Sequence, residues 1–179
     1  NDVDVENGKA VYTSWLNERG GIESDLTVTR LREDVFLVIT AGASQNRDLA
    51  WLHKNIPEVA HVTVTDVTSG YAVLSLMGPE SRNILSKLTP ADLSNEVFPF
   101  GTGREIEVGY AKALALRMTY VGELGWEIYT PTEFAQDIYD KILEAGVDHG
   151  LRLAGMHALN SLRLEKAFRH WGHDITEIW

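Results

Sequence analysis

Between Tyr12 and Leu31 the chain reads YTSWLNERGGIESDLTVTRL, and no other stretch narrows the possible folds as much. Tyr12, Trp15 and Leu16 form an apolar run. Asn17 to Gly21 are turn formers, and Leu26 and Val28 alternate with threonines at the two-residue period of a half-buried strand. The pattern predicts strand, glycine turn, strand. Asp25 stands where the second strand begins, a position that strand propensity disfavours. Either it faces water beside the turn or it has a chemical duty, and the bare pattern favours the first.

The rest of the chain adds strands in hairpins with helices between them. Val35 to Ile39 is a continuous β-branched and apolar run, predicting a central strand. Ser44 offers an N-cap for a helix from Gln45 to Ile56, with Leu49, Leu52, His53 and Ile56 on one face and Pro57 as the stop. His53 reads as a packed or boundary residue, because no second ligand stands at metal spacing beside it. Val62 to Val67 and Tyr71 to Met77 read as strands about an Asp66 to Gly70 turn. Gly78, Pro79 and Glu80 then open a helix carrying Ile84, Leu85 and Leu88 inward. A phosphate cradle there is disfavoured, since a single glycine makes a poor nest.

Residues 92–103 are irregular, with Phe98 and Phe100 around Pro99, either lining a pocket or plugging a core edge. Ile106 to Val108 and Leu114 to Met118 form a further hairpin across Gly109. Thr132 caps a helix to Ala145, with Phe134, Ile138, Ile142 and Leu143 inward and Gly146 as its stop. A last helix runs from Gly155 to Phe168, with Leu159, Leu162 and Lys166 along one side and Arg163, Glu165, Lys166 and Arg169 on a solvated face. The sum is α+β, mostly antiparallel sheet packed against about four helices.

Composition excludes several functions. The formal net charge of −10 argues against a duplex nucleic-acid partner. No apolar run reaches the roughly 18 residues of a membrane span, so no membrane partner is expected. The absence of cysteine removes disulfides, thiolate metal sites and thiol catalysis, and fits a cytoplasmic protein. No metal site is expected either. His170, His173 and Asp174 lie close in sequence, but Gly172 interrupts any helical HxxxH register. The opening at Asn1 and the ending at Ile178 and Trp179 read as those of a fragment.

Tyr120 to Tyr129, YVGELGWEIY, holds the second concentration of chemistry. Gly122 and Gly125 permit a tight turn. Trp126 and Ile128 then point to one face and Glu127 to the other. A carboxylate beside aromatics can grip a flat, nitrogen-rich ring by accepting two N–H bonds while aromatic faces stack. A solvent-facing glutamate on an edge strand fits the spacing equally well.

Three segments in order, LNERGGIESDLTV, YVGELGWEIY and NSLRLEKAFRHWGHDI, resemble the folate-binding aminomethyltransferase fold of the glycine-cleavage T-protein. Their wording is nearest to the C-terminal tetrahydrofolate-binding part of dimethylglycine and sarcosine dehydrogenases and oxidases. The similarity spans essentially the whole chain. It implies an incomplete folate-binding domain over 1–179, with an FAD-binding region before it and a β-rich domain after it. By the same resemblance Asp25 is the catalytic aspartate, while Glu127 binds the pterin edge and Tyr120 lines the folate pocket.

The implied cofactors are tetrahydrofolate here and FAD in the preceding region. The implied reaction is capture, as 5,10-methylenetetrahydrofolate, of the iminium or formaldehyde released when an N-methyl amine is oxidised. Two positions depart from the T-protein pattern. Leu159 replaces an arginine that holds the folate's glutamate tail, leaving Arg163 or Arg169 as candidates, and Thr40 replaces an asparagine. The alternatives are a stand-alone aminomethyltransferase of glycine cleavage and a non-enzymatic folate-binding module. The latter branch carries a cysteine motif, and this chain has no cysteine.

Overall fold

A computed structural model describes residues 1–176 and places them in two antiparallel sheets with four α-helices. The first sheet has the order β1-β2-β3, with β1 Ala10–Leu16, β2 Ile22–Arg32 and β3 Val35–Ile39. The second has the order β4-β7-β6-β5, with β4 Tyr71–Met77, β5 Gly103–Val108, β6 Ala111–Leu116 and β7 Gly125–Pro131. The helices are α1 Gln45–Asn55, α2 Ser81–Leu85, α3 Ala135–Gly146 and α4 Met156–Glu165. The α+β class expected from the hairpin spacing is therefore the class observed. None of the described helices is long and apolar enough to cross a membrane.

The sheets are joined through the chain leading into β1. Gly8 N–H donates to Arg30 O at 2.6 Å, Gly103 N–H donates to Gly8 O at 2.6 Å, and Ala10 N–H donates to Gly101 O at 2.8 Å. Gly8 has φ +83°, and a Cβ there would lie 3.0 Å from the Gly103 carbonyl oxygen. Only glycine satisfies both the backbone conformation and the close approach.

The core lies between the four-stranded sheet and helices α2 and α3. Trp126 and Ile128 of β7 are fully buried against Ile84, Leu85, Ile138 and Ile142. Alternation along β7 puts these two on the core face and leaves Glu127 half-buried on the other. The irregular 92–102 segment closes the core edge, with Phe98 fully buried and edge-on to Trp126 at a centroid distance of 6.0 Å. Arg82 and Arg117 pin that segment by donating to Asn95 Oδ1 at 2.6 and 2.7 Å, and Arg117 also donates to Phe98 O. Phe98 thus plugs the core, and Phe100 projects into solvent.

Several sequence expectations are corrected. Val35–Ile39 forms an edge strand, because β2 is the strand paired on both sides, and Phe36 and Val38 are exposed. The Val62–Val67 alternation forms no strand. Val62 and Val67 are exposed, and among the described residues no strand pairs with them, so β propensity there has no ladder to join. Pro79 lies in the turn ahead of α2 rather than inside it.

On α1 the buried residue is Asp48, while Leu49, Leu52 and Ile56 are half-buried and His53 is exposed. The Ser44 hydroxyl bonds Asp48 instead of capping the helix backbone. Helix α3 ends at Gly146 as expected, but the left-handed glycine is Gly150, one short turn later. The expectation for Ile178 and Trp179 lies outside the described residues.

Candidate functional site

Antiparallel pairing of β1 with β2 sets Tyr12 opposite Thr27 and Ser14 opposite Asp25. Tyr12 and Asp25 are therefore diagonal neighbours on one sheet face, within reach of a long aromatic side chain. The Tyr12 hydroxyl donates to Asp25 Oδ2 at 2.7 Å. Partial burial and then this bond push the Tyr12 phenol well above the ordinary tyrosine range, so it stays protonated as a donor. Among the described residues no side chain or backbone amide donates to the other Asp25 oxygen.

Tyr120 lies near enough to Asp25 and Tyr12 for their charges to act on one another. Its phenol is raised by burial, and the charges of Asp25 and Asp174 raise it further against the opposing Arg163 guanidinium. Tyr120 lies edge-on to His170 at a centroid distance of 6.3 Å, and His170 lies 4.4 Å from His173. Burial, then His173 and Arg163, hold His170 below the usual imidazole range, favouring the neutral ring. The structure thus brings Asp25 and Tyr120, from distant parts of the sequence, to one locus with Tyr12 and His170.

Arg163 is the main departure from expectation at this locus. It is 4% exposed, not solvated. Its guanidinium pairs with Asp174 and donates to Asn160 Oδ1 at 2.9 Å and Phe168 O at 2.9 Å. The burial arises because the chain reverses after α4 through Ala167, at φ 59°, bringing Asp174 back over the helix. The Arg163 pairing, with a backbone N–H bond from His170, holds the Asp174 carboxyl below its ordinary value. Arg163 is committed, so of the two tail-binding candidates only Arg169 remains on the surface, donating to Ala167 O. Gly122, at φ +71°, lets the Lys166 stem pass close enough to pair with Glu123 at 2.9 Å, docking the end of α4 on the 119–124 loop.

Glu127 sits in register between Ser75 and Leu116, on the face of β7 away from Trp126. Buried Tyr129, two residues along on the same face, donates its hydroxyl to Glu127 Oε2 at 2.7 Å. Burial and the Glu127 charge push the Tyr129 phenol far above its ordinary range. Asp25 and Glu127 therefore share a motif, a strand carboxylate with one oxygen held by a tyrosine. They stand on different sheets, and no hydrogen bond joins them.

Sequence reasoning did not identify Tyr12, His170 or buried Asp48. Tyr12 was recoverable from the diagonal offset across the glycine turn. The others depend on contacts between elements remote in the chain. Leu159 is half-buried, and Thr40 lies near enough to Asp48 to favour its ionised form.

Residues 1–178 match the family described as GCVT N-terminal domain. The chain is 48% identical over 177 residues to a 4-methylaminobutanoate oxidase (formaldehyde-forming) of Paenarthrobacter nicotinovorans, with 99% of this chain and 21% of that protein covered. It is 39% identical over 162 residues to the mitochondrial dimethylglycine dehydrogenase of Homo sapiens, covering 90% of this chain and 19% of that protein. The chain spans about a fifth of the length of these two relatives. The glycine cleavage system aminomethyltransferase T from Bartonella henselae has the same fold, with TM-score 0.79 and 30% identity over 97% of this chain and 45% of that one. On a match spanning nearly its whole length, the chain belongs to the GCVT N-terminal domain family.

Proposed function

We propose that these residues form the tetrahydrofolate-binding, one-carbon-accepting domain of an oxidoreductase of the dimethylglycine and sarcosine dehydrogenase type. The observation that carries this reading is Asp25, held by Tyr12 through one oxygen and open at the other, with Tyr120 near enough to feel its charge. The donor set fits a reduced pterin. Two strand carboxylates, each fixed by a tyrosine hydroxyl, accept N–H groups, and Tyr120 supplies an aromatic wall.

Bound tetrahydrofolate supplies the pair of nitrogens that accept a one-carbon unit at the formaldehyde level. Glu127 accepts from the amino-pyrimidine edge, with the Tyr129 bond fixing its carboxylate. Tyr120 lines the pocket and excludes water from one side. Asp25, ionised, stabilises positive charge developing on the transferred carbon and holds or returns a proton at the reacting nitrogen. A positioned acid or base of this kind contributes on the order of 10²–10⁴-fold. The carbon arrives as the iminium or formaldehyde from oxidation of an N-methyl amine, in keeping with the names of the oxidase and dehydrogenase relatives. That oxidation is assigned to an FAD-bearing part of the whole protein, beyond these residues.

The test is calorimetry of a tetrahydrofolate analogue on the full-length protein. Glu127→Ala should weaken binding by roughly 10- to 100-fold, the loss of hydrogen bonds to a charged acceptor. Unchanged affinity would remove Glu127 from the pterin site. The likeness to the Bartonella aminomethyltransferase supports a second reading, transfer from a lipoyl carrier protein. Ammonia release from an aminomethylated lipoyl protein would establish it.

A further inference from the structure

Asp48 is 3% exposed, although it lies in the first turn of α1, where an aspartate gains from the helix dipole without leaving water. Burying the charge is costly unless hydrogen bonds replace hydration. Here they do. Asp48 Oδ2 accepts from Ser44 Oγ at 2.6 Å and Ser24 Oγ at 3.1 Å, and Oδ1 accepts from Arg47 Nε at 3.1 Å and its terminal nitrogen at 2.8 Å. Thr40, close by, adds to the polar surroundings of the carboxylate. Burial works against ionisation, but the bonds from Ser44, Arg47, Thr40 and Ser24 outweigh it and hold the carboxyl below its ordinary range.

The placement of these partners is what gives the cluster meaning. Ser24 immediately precedes Asp25 on β2, so the two side chains leave opposite faces of one strand. Ser24 is buried toward Asp48, and Asp25 projects toward Tyr12. Arg47 reaches the same strand by donating to Glu23 O at 2.5 Å. Its guanidinium also lies over the Trp171 ring at 4.6 Å, one residue from His170. The Arg47–Asp48 pair therefore grips, from behind, both the strand that carries Asp25 and the turn that carries His170 against Tyr120.

We propose that Asp48, with Arg47, is a positioning residue for Asp25: it fixes β2 at Ser24 and ties it to the 170–175 turn, setting where the Asp25 carboxylate stands. The catalytic consequence rests on the reading of Asp25 given above. Displacement of a reacting group by about 1 Å reduces rate on the order of 10²-fold, so a loosened grip matters more for rate than for ligand affinity.

The experiment compares full-length Asp48→Asn, Ser24→Ala and Asp25→Ala by two readouts. The first is fluorine NMR of protein labelled with fluorotyrosine, with the Tyr12 resonance assigned through Tyr12→Phe, which reports the Tyr12 to Asp25 bond without turnover. The second is the rate of one-carbon capture on tetrahydrofolate beside the affinity for a tetrahydrofolate analogue. Asp48→Asn should move the Tyr12 resonance and slow capture about 10-fold or more with affinity unchanged, and Ser24→Ala should do so more weakly. An unmoved Tyr12 resonance, or a moved one with capture intact while Asp25→Ala abolishes capture, overturns the proposal. A moved resonance with capture intact in Asp25→Ala as well upholds the positioning of Asp25 and removes Asp25 as the catalytic group. Ser24→Ala deletes one hydroxyl only, so the test stands even where Asp48→Asn fails to fold.

Discussion

The two sheets are held together in different ways. The four-stranded sheet lays a continuous apolar face on α2 and α3, with Trp126, Ile128, Val108 and Ala115 fully buried. The three-stranded sheet buries Leu26 and Val28 but exposes Tyr12, Leu16, Phe36 and Val38, and its interior bracing is polar, through Asp48, Ser24 and Arg47. The apolar sheet acts as scaffold and carries Glu127, the proposed pterin contact, on the face away from Trp126. The sheet with the thin core carries Asp25, whose position depends on directional hydrogen bonds. Such bonds fix orientation more sharply than dispersion contacts do.

Truncations on the two sheets should separate these modes. Trp126→Ala should destabilise by about 3–5 kcal/mol, the usual loss for a large buried aromatic, read as a lower denaturation midpoint. A loss below about 1 kcal/mol would mean the scaffold does not rest on that face. Asp48→Ala should cost about 1–3 kcal/mol near neutral pH, because buried donors lose their acceptor. The Asp48 carboxyl is lowered in the folded state, so its contribution is full above the unfolded carboxylate range and is lost as pH falls through the folded value. The deficit of Asp48→Ala relative to wild type should therefore narrow from neutral pH to about pH 3. A deficit constant with pH would show that the ionised form does not provide the bracing. Phe36→Ala, on the exposed edge strand, should cost only about 0.5–1 kcal/mol, mainly its stacking against Arg30 at 5.6 Å.

Legibility in the sequence followed the same division. The β1–β2 hairpin, the β5–β6 hairpin, the inward Trp126 and Ile128 and the Ile138 and Ile142 positions of α3 were readable, because periodicity reports one apolar face. Phe134, expected inward, is exposed in the turn before the helix. The alternation in Val62–Val67 misled because a strand needs a partner as well as a pattern. Arg163 read as solvated because its burial depends on the reversal at Ala167 and on Asp174, eleven residues away. Asp48 drew no reading, because its burial depends on contacts between elements, among them Ser24, 24 residues earlier in the chain. Asp25 and Glu127 were singled out by the family resemblance, since spacing alone left a solvent-facing reading open for both, and their tyrosine partners became visible only with the strand register.

The most direct test of the central claim is the fate of the carbon in full-length Asp25→Ala during oxidation of an N-methyl amine with tetrahydrofolate present. Methylenetetrahydrofolate formation should fall by on the order of 10²–10⁴-fold, with free formaldehyde appearing in its place. Undiminished methylenetetrahydrofolate formation would contradict that claim.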